Sequence, residues 1–366
     1  TADESLMAAC HTLWNNVTGK QMYITGGIGS SGNQEAFTRD YDLPNDTAYT
    51  ETCASIALIF FARRMLSMTG DAQYADVMER ALYNGVLSGV ALDGQAFFYV
   101  NPLETSPAVD AVRHDHDHVK TRRQGWYGCA CCPPNLARLL SSLGEYVYAY
   151  DEGNVLVNLF VGSAFRVQAL SGVTIRQETQ YPWNGRVKLT VEEANGKAFT
   201  LRVRIPAWCQ RALVRVNGAS LDLEQNMEQG YAVISRVWFS GDVVEVDLPM
   251  QPTRIYAHPS VREDAGKVAL MRGPIVYCLE EDDNGPDLQN LILPRKAFLE
   301  TLPMQEGLLE GVVQLRAKGL RECPASEALY SVEPPEAEEQ LLTFVPYYAW
   351  GNRTPDREMR VWVREN

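Results

Sequence analysis

Trp126-Tyr127-Gly128-Cys129-Ala130-Cys131-Cys132-Pro133-Pro134-Asn135 is the stretch on which the reading of this chain turns. Three of the eight cysteines fall within four residues, and two of them are adjacent. Vicinal cysteines seldom bridge each other, because the short ring they close is strained relative to ordinary disulfide geometry. A soft metal explains the crowding better, since it holds each sulfur deprotonated and cancels the charge. Pro133-Pro134 fixes the backbone and Asn135 opens an apolar helical pattern. The thiols are therefore expected on a loop at a helix N-terminus, where partial positive charge also favours thiolate.

Working outward, the second piece is Glu51-Thr52-Cys53, within Thr47-Ala48-Tyr49-Thr50-Glu51-Thr52-Cys53-Ala54-Ser55. Zinc accepts thiolate and carboxylate alike, so Glu51, Cys53, Cys131 and Cys132 make a tetrahedral set. The spacing does not fit a zinc finger, and the metal would tie two distant helical segments together. Read from the residues alone, the same set also suits a purely structural zinc, with Cys131 no more than a ligand. Cys129 could compete as a ligand but reads as a buried thiol or one just behind the ligands, and Cys10, Cys209, Cys278 and Cys323 read as core residues.

Around this site the first 150 residues are predominantly helical in pattern. Leu6 to Trp14, Glu51 to Met68, Tyr74 to Leu92 and Leu136 to Tyr150 carry helical periodicity. Long polar loops run between them, including Gly26-Gly27-Ile28-Gly29-Ser30-Ser31-Gly32 and the segment 101–123. The glycine loop lacks the lysine and the preceding strand of a phosphate loop, so it is read as shaping a ligand pocket. His114, His116 and His118 alternate with aspartates; on one face of a strand they could hold a second metal, but a solvated loop is the favoured reading. Trp126 and Tyr127 could stack on a ligand or simply pack.

After Tyr150 the pattern alternates with period two: Val155–Phe160, Val173–Ile175, Val187–Val191, Leu201–Ile205, Val214–Gly218 and Val243–Leu248. Short strands at this spacing, with Gly and Asn turns, predict a β-sandwich. Val268–Tyr277 opens a second β-unit, and Arg360–Arg364 reads as a last strand returning to the first sandwich. The expected domains are a helical unit over 1–150, a β-sandwich over 151–258 joined by the strand at 355–366, and a second sandwich-like unit over 259–354.

Composition limits the partners. The 366 residues are 46% hydrophobic without a long apolar run, and the net charge of -13 disfavours nucleic acid and anionic membrane. Thr1-Ala2-Asp3-Glu4 has no basic region of the kind that opens a signal peptide. Cysteines clustered at a metal site suit a reducing compartment, with cytoplasm the default.

Several motifs together resemble glycoside hydrolase family 127. They are Thr25-Gly26-Gly27-Ile28-Gly29-Ser30, Glu35, Asp42 to Ala54, Phe98-Tyr99-Val100-Asn101-Pro102-Leu103-Glu104, Cys129 to Asn135, and Pro346 to Arg353. The resemblance spans essentially the whole chain in order. It implies a multidomain α plus β fold: an (α/α)6-barrel-type helical catalytic domain, partial here, followed by β-sandwich domains. A six-hairpin barrel needs about twelve helices, and about half are read before residue 150. A partial barrel is therefore expected, completed by an N-terminal segment or left open, with a homodimer as the other partner considered.

The resemblance further implies a zinc-dependent retaining hydrolase that releases L-arabinose from plant-derived β-L-arabinofuranosides. Cys131 maps onto the family's nucleophile, forming a thioglycosyl intermediate. Glu35 maps onto the acid/base, a role served by burial near other anions. Glu51, Cys53 and Cys132 are the remaining zinc ligands, and Tyr99 falls where its hydroxyl can bond the sulfur or the sugar. The alternatives are a same-family glycosidase acting on another plant-derived sugar, and a non-catalytic carbohydrate-binding or scaffold protein with a structural zinc.

Overall fold

In the computed structural model, which describes residues 3–170, 172–194, 196–304 and 307–366, the chain divides into two units. One comprises 1–58, 80–136 and 252–366; the other comprises 59–79 and 137–251. Among the described residues of the first 150, four helices have eight residues or more: α1 (Glu4–Asn16), α2 (Thr52–Thr69), α3 (Gln73–Arg80) and α4 (Cys132–Ser141).

In the first unit, α1 opens on Asp3, whose side chain accepts the amide hydrogens of Ser5 and Leu6 that no helical carbonyl can reach. The expected helix from Tyr74 to Leu92 is broken into α3, whose residues up to Glu79 belong to the second unit, and, in the first unit, a π-helical turn at Ala81–Val86 and a 3-10 turn at Leu87–Gly89. Asn84 on the π-turn donates to the Pro274 carbonyl and accepts from the Val276 amide, fastening the turn to a β-hairpin. The glycine loop is used for close packing. A Cβ on Gly26, at φ +75°, would fall 2.6 Å from the Ala81 backbone, and one on Gly27 would fall 2.9 Å from Thr50.

The strands of 252–366 form one continuous sheet, not two facing ones. Its path runs through Ile275–Glu280, Glu336–Pro346, Leu315–Cys323, Leu291–Ile292, Val363–Arg364 and Lys267–Arg272, and the last of these pairs again with the first. The sheet thus closes on itself. Its apolar residues recur with period two (Val268 and Leu270; Ile275, Tyr277 and Leu279; Leu342 and Phe344) and form one buried cluster. This corrects one expectation: the C-terminal strand does not return to the first β-unit. Met359–Arg360 pairs with Ile275–Glu280, and Val363–Arg364 with Lys267–Arg272.

In the second unit, the expected helix from Leu136 to Tyr150 ends early, because Tyr148–Asp151 is a strand paired with Asn154–Val157. Apolar runs this short fit either period. One sheet has five strands, in the order Met227–Glu228, Tyr231–Trp238, Lys197–Arg204, Asn154–Val157, Tyr148–Asp151. The other has six: Ser163–Val167, Val173–Thr179, Arg186–Glu192, Val243–Asp247, Leu213–Val216, Ala219–Ser220. Strict alternation buries Val173, Ile175 and Gln177, and Val187, Leu189 and Val191. The Tyr148 hydroxyl meets Ser163 at 2.8 Å and accepts from Gln177, joining the sheets through polar groups. Arg204, wholly buried, pairs with Asp76 and Glu79 and donates to the Asn158 carbonyl.

Candidate active site

Two backbone segments, 50–52 and 98–101, are fastened side by side. The Thr52 amide donates to the Tyr99 carbonyl at 2.9 Å, and Glu51 and Val100 form a β-bridge. Asn101 donates to the Thr50 carbonyl and the Thr52 hydroxyl and accepts from Ser88, while Thr52 donates to the Phe98 carbonyl. Beneath this patch Arg123 is buried, bonded to the Ser88, Tyr348 and Trp350 carbonyls, with its guanidinium 4.4 Å from the Phe98 ring. These bonds fix Glu51 and Tyr99 before any ligand is considered.

Cys53 stands in the first turn of α2, and Cys132 is the first residue of α4. Both thiols therefore lie where a helix favours negative charge. Glu51, Cys53, Cys131 and Cys132 converge, with their four donor atoms all within 4.8 Å of one another. Glu51 Oε1 is 3.3 Å from Cys131 Sγ and 3.4 Å from Cys132 Sγ, and the two sulfurs are 3.7 Å apart. Such a group can hold a metal ion. Its proton chemistry agrees: hydrogen bonding, first from Cys132, draws the Cys53 thiol down to about 7. Burial pushes Cys131 up to about 12, and donation to Cys53 together with burial drives Cys132 far above the ordinary thiol range. Three thiolates and a carboxylate this close need a cation between them to be ionised together.

Tyr99 links this cluster to Glu35. Its hydroxyl lies 3.1 Å from Cys131 Sγ and donates to Glu35 Oε1 at 3.3 Å. Tyr49 donates to the same oxygen at 2.8 Å. Both tyrosine hydroxyls are held well above the usual phenol range, first by burial, so they stay protonated donors. Tyr49 is the residue that sequence reasoning passed over. It lay inside a quoted motif, but a tyrosine carries no signature that marks it as holding a carboxylate.

Four expectations are corrected here. Glu35 is exposed, not buried among anions, and it sits beside a backbone turned to positive φ at Gln34 and Glu35. Cys129 is exposed and stands outside the convergent group. Cys209 and Cys278 are buried as expected, whereas Cys10 and Cys323 are only partly so. The histidine run is not simply solvated. His116 is buried with Nδ1 2.7 Å from Asp110, and His118 lies 3.1 Å from the Thr47 carbonyl, its ring beside Tyr49. Only His114 projects fully into solvent. Trp126 is exposed, while Tyr127 donates to the Phe97 carbonyl and accepts from the Tyr99 amide.

A helical segment bearing a carboxylate–thiolate cluster with an adjacent glutamate, followed by β-rich segments, defines a multidomain protein built around one polar, metal-competent site. Family comparison assigns every part of it. Residues 1–145 match the β-L-arabinofuranosidase GH127 catalytic domain, 154–250 the GH127 middle domain, and 252–364 the glycoside hydrolase family 127 C-terminal domain. The chain belongs to glycoside hydrolase family 127.

It is 39% identical over 377 residues to a non-reducing end β-L-arabinofuranosidase of Bifidobacterium longum subsp. longum, covering 99% of this chain. The crystal structure of a GH127 β-L-arabinofuranosidase from Geobacillus stearothermophilus T6 is 54% identical and superposes with a TM-score of 0.96, covering all of this chain. A second solved GH127 β-arabinofuranosidase is 36% identical, with a TM-score of 0.89. The chain spans 56% of the length of the Bifidobacterium protein and 57% of each of those two structures.

Proposed function

We propose that the chain carries the catalytic centre of a zinc-dependent retaining glycoside hydrolase that releases L-arabinose from β-L-arabinofuranosides. The observation that carries the reading is the single hydroxyl of Tyr99, which touches both Cys131 Sγ and Glu35 Oε1. Nucleophile and acid/base can then be no farther apart than those two contacts together. That bound is compatible with the separation of about 5 Å used by retaining pairs. In our reading the helical segment forms part of an (α/α)6 barrel, and the two sheets of the second unit are sandwich-like. A reducing compartment, the cytoplasm, suits eight free cysteines.

Zinc fits the donor set. Two sulfurs at about 2.3 Å from a tetrahedral zinc lie roughly 3.8 Å apart, against 3.7 Å between Cys131 and Cys132. Glu51, Cys53, Cys131 and Cys132 would hold the ion, which when bound supplies the positive charge that keeps these thiols ionised at neutral pH. Replacing Glu51 by glutamine is expected to weaken zinc binding by at least about tenfold. Competition with a chromogenic chelator reads this directly, and unchanged affinity would remove Glu51 from the ligand set.

The chain's own residues then divide the work. Cys131 Sγ attacks the anomeric carbon and the bond to the leaving oxygen breaks, with Glu35 giving its proton to that oxygen. Glu35 afterwards takes a proton from water as the carbon–sulfur bond is hydrolysed. The Tyr99 hydroxyl, touching both Cys131 Sγ and Glu35 Oε1, positions the two groups toward one bond. Tyr49 holds Glu35 from the other side.

The test is hydrolysis of p-nitrophenyl β-L-arabinofuranoside by this chain, alongside its Glu35→Ala variant. For an alkyl arabinoside, loss of the acid is expected to reduce turnover by about 100- to 10,000-fold. The nitrophenyl substrate, whose leaving group needs no proton, should lose much less in the glycosylation step. Equal losses on both substrates would remove Glu35 from the acid role.

A further inference from the structure

Two adjoining hollows in the first unit, of about 300 and 170 Å³, share Tyr256, Ala257, His258, Val261 and Asp264 in their walls. Asp264 is 93% buried, being only 7% exposed. Its side chain has one hydrogen bond, from Asn45 Nδ2 at 2.8 Å. A carboxylate offers about four acceptor positions, so most of this one's capacity is unused while it lines both hollows. Asn45 is itself buried, and its Oδ1 has no donor. Burial pushes the Asp264 carboxyl up to about 6, as expected of an acid short of partners. The unused acceptor positions of Asp264 are open to a hydrogen-bond donor that enters the hollows.

Tyr41, in the wall of the second hollow, gives an independent observation. Its backbone stands at φ +66°, a region that bulky residues avoid at a cost of about 1–3 kcal/mol. In that conformation its amide donates to the Lys20 carbonyl, and its ring stacks on His258 with centroids 4.6 Å apart. The strain thus maintains a stacked aromatic surface in the same cleft as Asp264. The charged side chains of the walls already face partners, Lys20 with Asp40 among them. Lys267 acts on Asp264, and Glu365 is taken by Arg254 and Arg295. A strongly charged ligand therefore finds no net attraction. What fits is a neutral molecule with several hydroxyl donors and an apolar face, which is the chemistry of a sugar ring.

We propose that this cleft is a second, non-catalytic carbohydrate subsite, in which Asp264 accepts the hydroxyls of one sugar unit and the Tyr41–His258 pair covers its apolar face. It retains a glycan by a unit other than the one being cleaved. None of its residues belongs to the Glu51–Cys53–Cys131–Cys132 cluster or its tyrosines.

The test is calorimetric titration of an arabinofuranosyl trisaccharide into this chain carrying Glu35→Gln, which leaves the cleft intact and suppresses turnover. Two binding events are expected. Tyr41→Gly relieves the backbone while removing the ring. It should leave thermal stability unchanged or raised, yet weaken one event at least tenfold; Asp264→Asn should weaken the same event several-fold. With Cys131 and Glu35 intact, Tyr41→Gly should leave hydrolysis of a small aryl arabinoside unchanged. No binding, or binding that neither Tyr41→Gly nor Asp264→Asn weakens, overturns the proposal. The titration needs no catalysis, so a chain that binds at the cleft without hydrolysing anything would defeat the enzymatic reading and keep this one.

Discussion

Cys131→Ser is expected to reduce hydrolysis of β-L-arabinofuranosides by at least about a thousandfold, the scale seen when a covalent nucleophile is removed. Serine preserves the shape of the side chain, so the Tyr99 hydroxyl and Glu51 carboxylate that lie 3.1 and 3.3 Å from the sulfur keep a polar neighbour. What is lost is the thiol that a bound zinc would keep ionised at neutral pH. The informative control is Cys132→Ser, which alters a buried thiol of the same cluster. If the cluster only braces the fold, both variants should lose activity in proportion to lost zinc and lost stability. If Cys131 is the nucleophile, its variant should lose far more activity than its zinc content or stability explains. Mass spectrometry of the unsubstituted chain quenched during turnover adds a positive sign: a pentosyl adduct on the peptide containing Cys131. Activity within tenfold of the starting chain would end the thiolate mechanism.

Arg204→Met carries the largest expected structural effect. The guanidinium is wholly buried and faces Asp76 and Glu79, and Glu79 also accepts from the Tyr181 hydroxyl and the Trp208 indole. Methionine fills much of the same volume, so the loss is electrostatic. Two carboxylates, one of them nearly inaccessible, would be left in the protein interior without a counter-charge. Breaking a buried ion pair from one side costs about 3–5 kcal/mol, and urea denaturation followed by tryptophan fluorescence is expected to show a loss of that size. Adding Asp76→Asn and Glu79→Gln should restore part of it, because the uncompensated charges go with the arginine's partners. A loss below about 1 kcal/mol would mean that water reaches these carboxylates and that the network contributes little.

The sequence by itself determined the residues of the metal-competent cluster and the β-character of the second half. Both follow from local chemistry. Few side chains hold a soft cation, so crowded thiols beside an acid announce themselves, as Cys131, Cys132, Cys53 and Glu51 do. Likewise, one buried face imposes period two on a strand, which made Val173–Ile175 and Val187–Val191 legible before the full strands Val173–Thr179 and Arg186–Glu192 and their partners were known. What remained undecided was non-local. Arg360–Arg364 reads as a strand wherever it pairs, and only the tertiary structure seats its ends beside Ile275–Glu280 and Lys267–Arg272. The apolar run before Tyr150 satisfies helix and strand alike until its pairing with Asn154–Val157 is seen. His116 looked solvated because its neighbours are polar, yet Asp110 folds over to meet it. Tyr49 and Tyr99 acquire their meaning only when the chain brings their hydroxyls to one oxygen of Glu35. Tertiary structure decided these points because a hydroxyl, a strand edge or an imidazole takes its role from whatever it finally faces, and that neighbour lies far away in sequence.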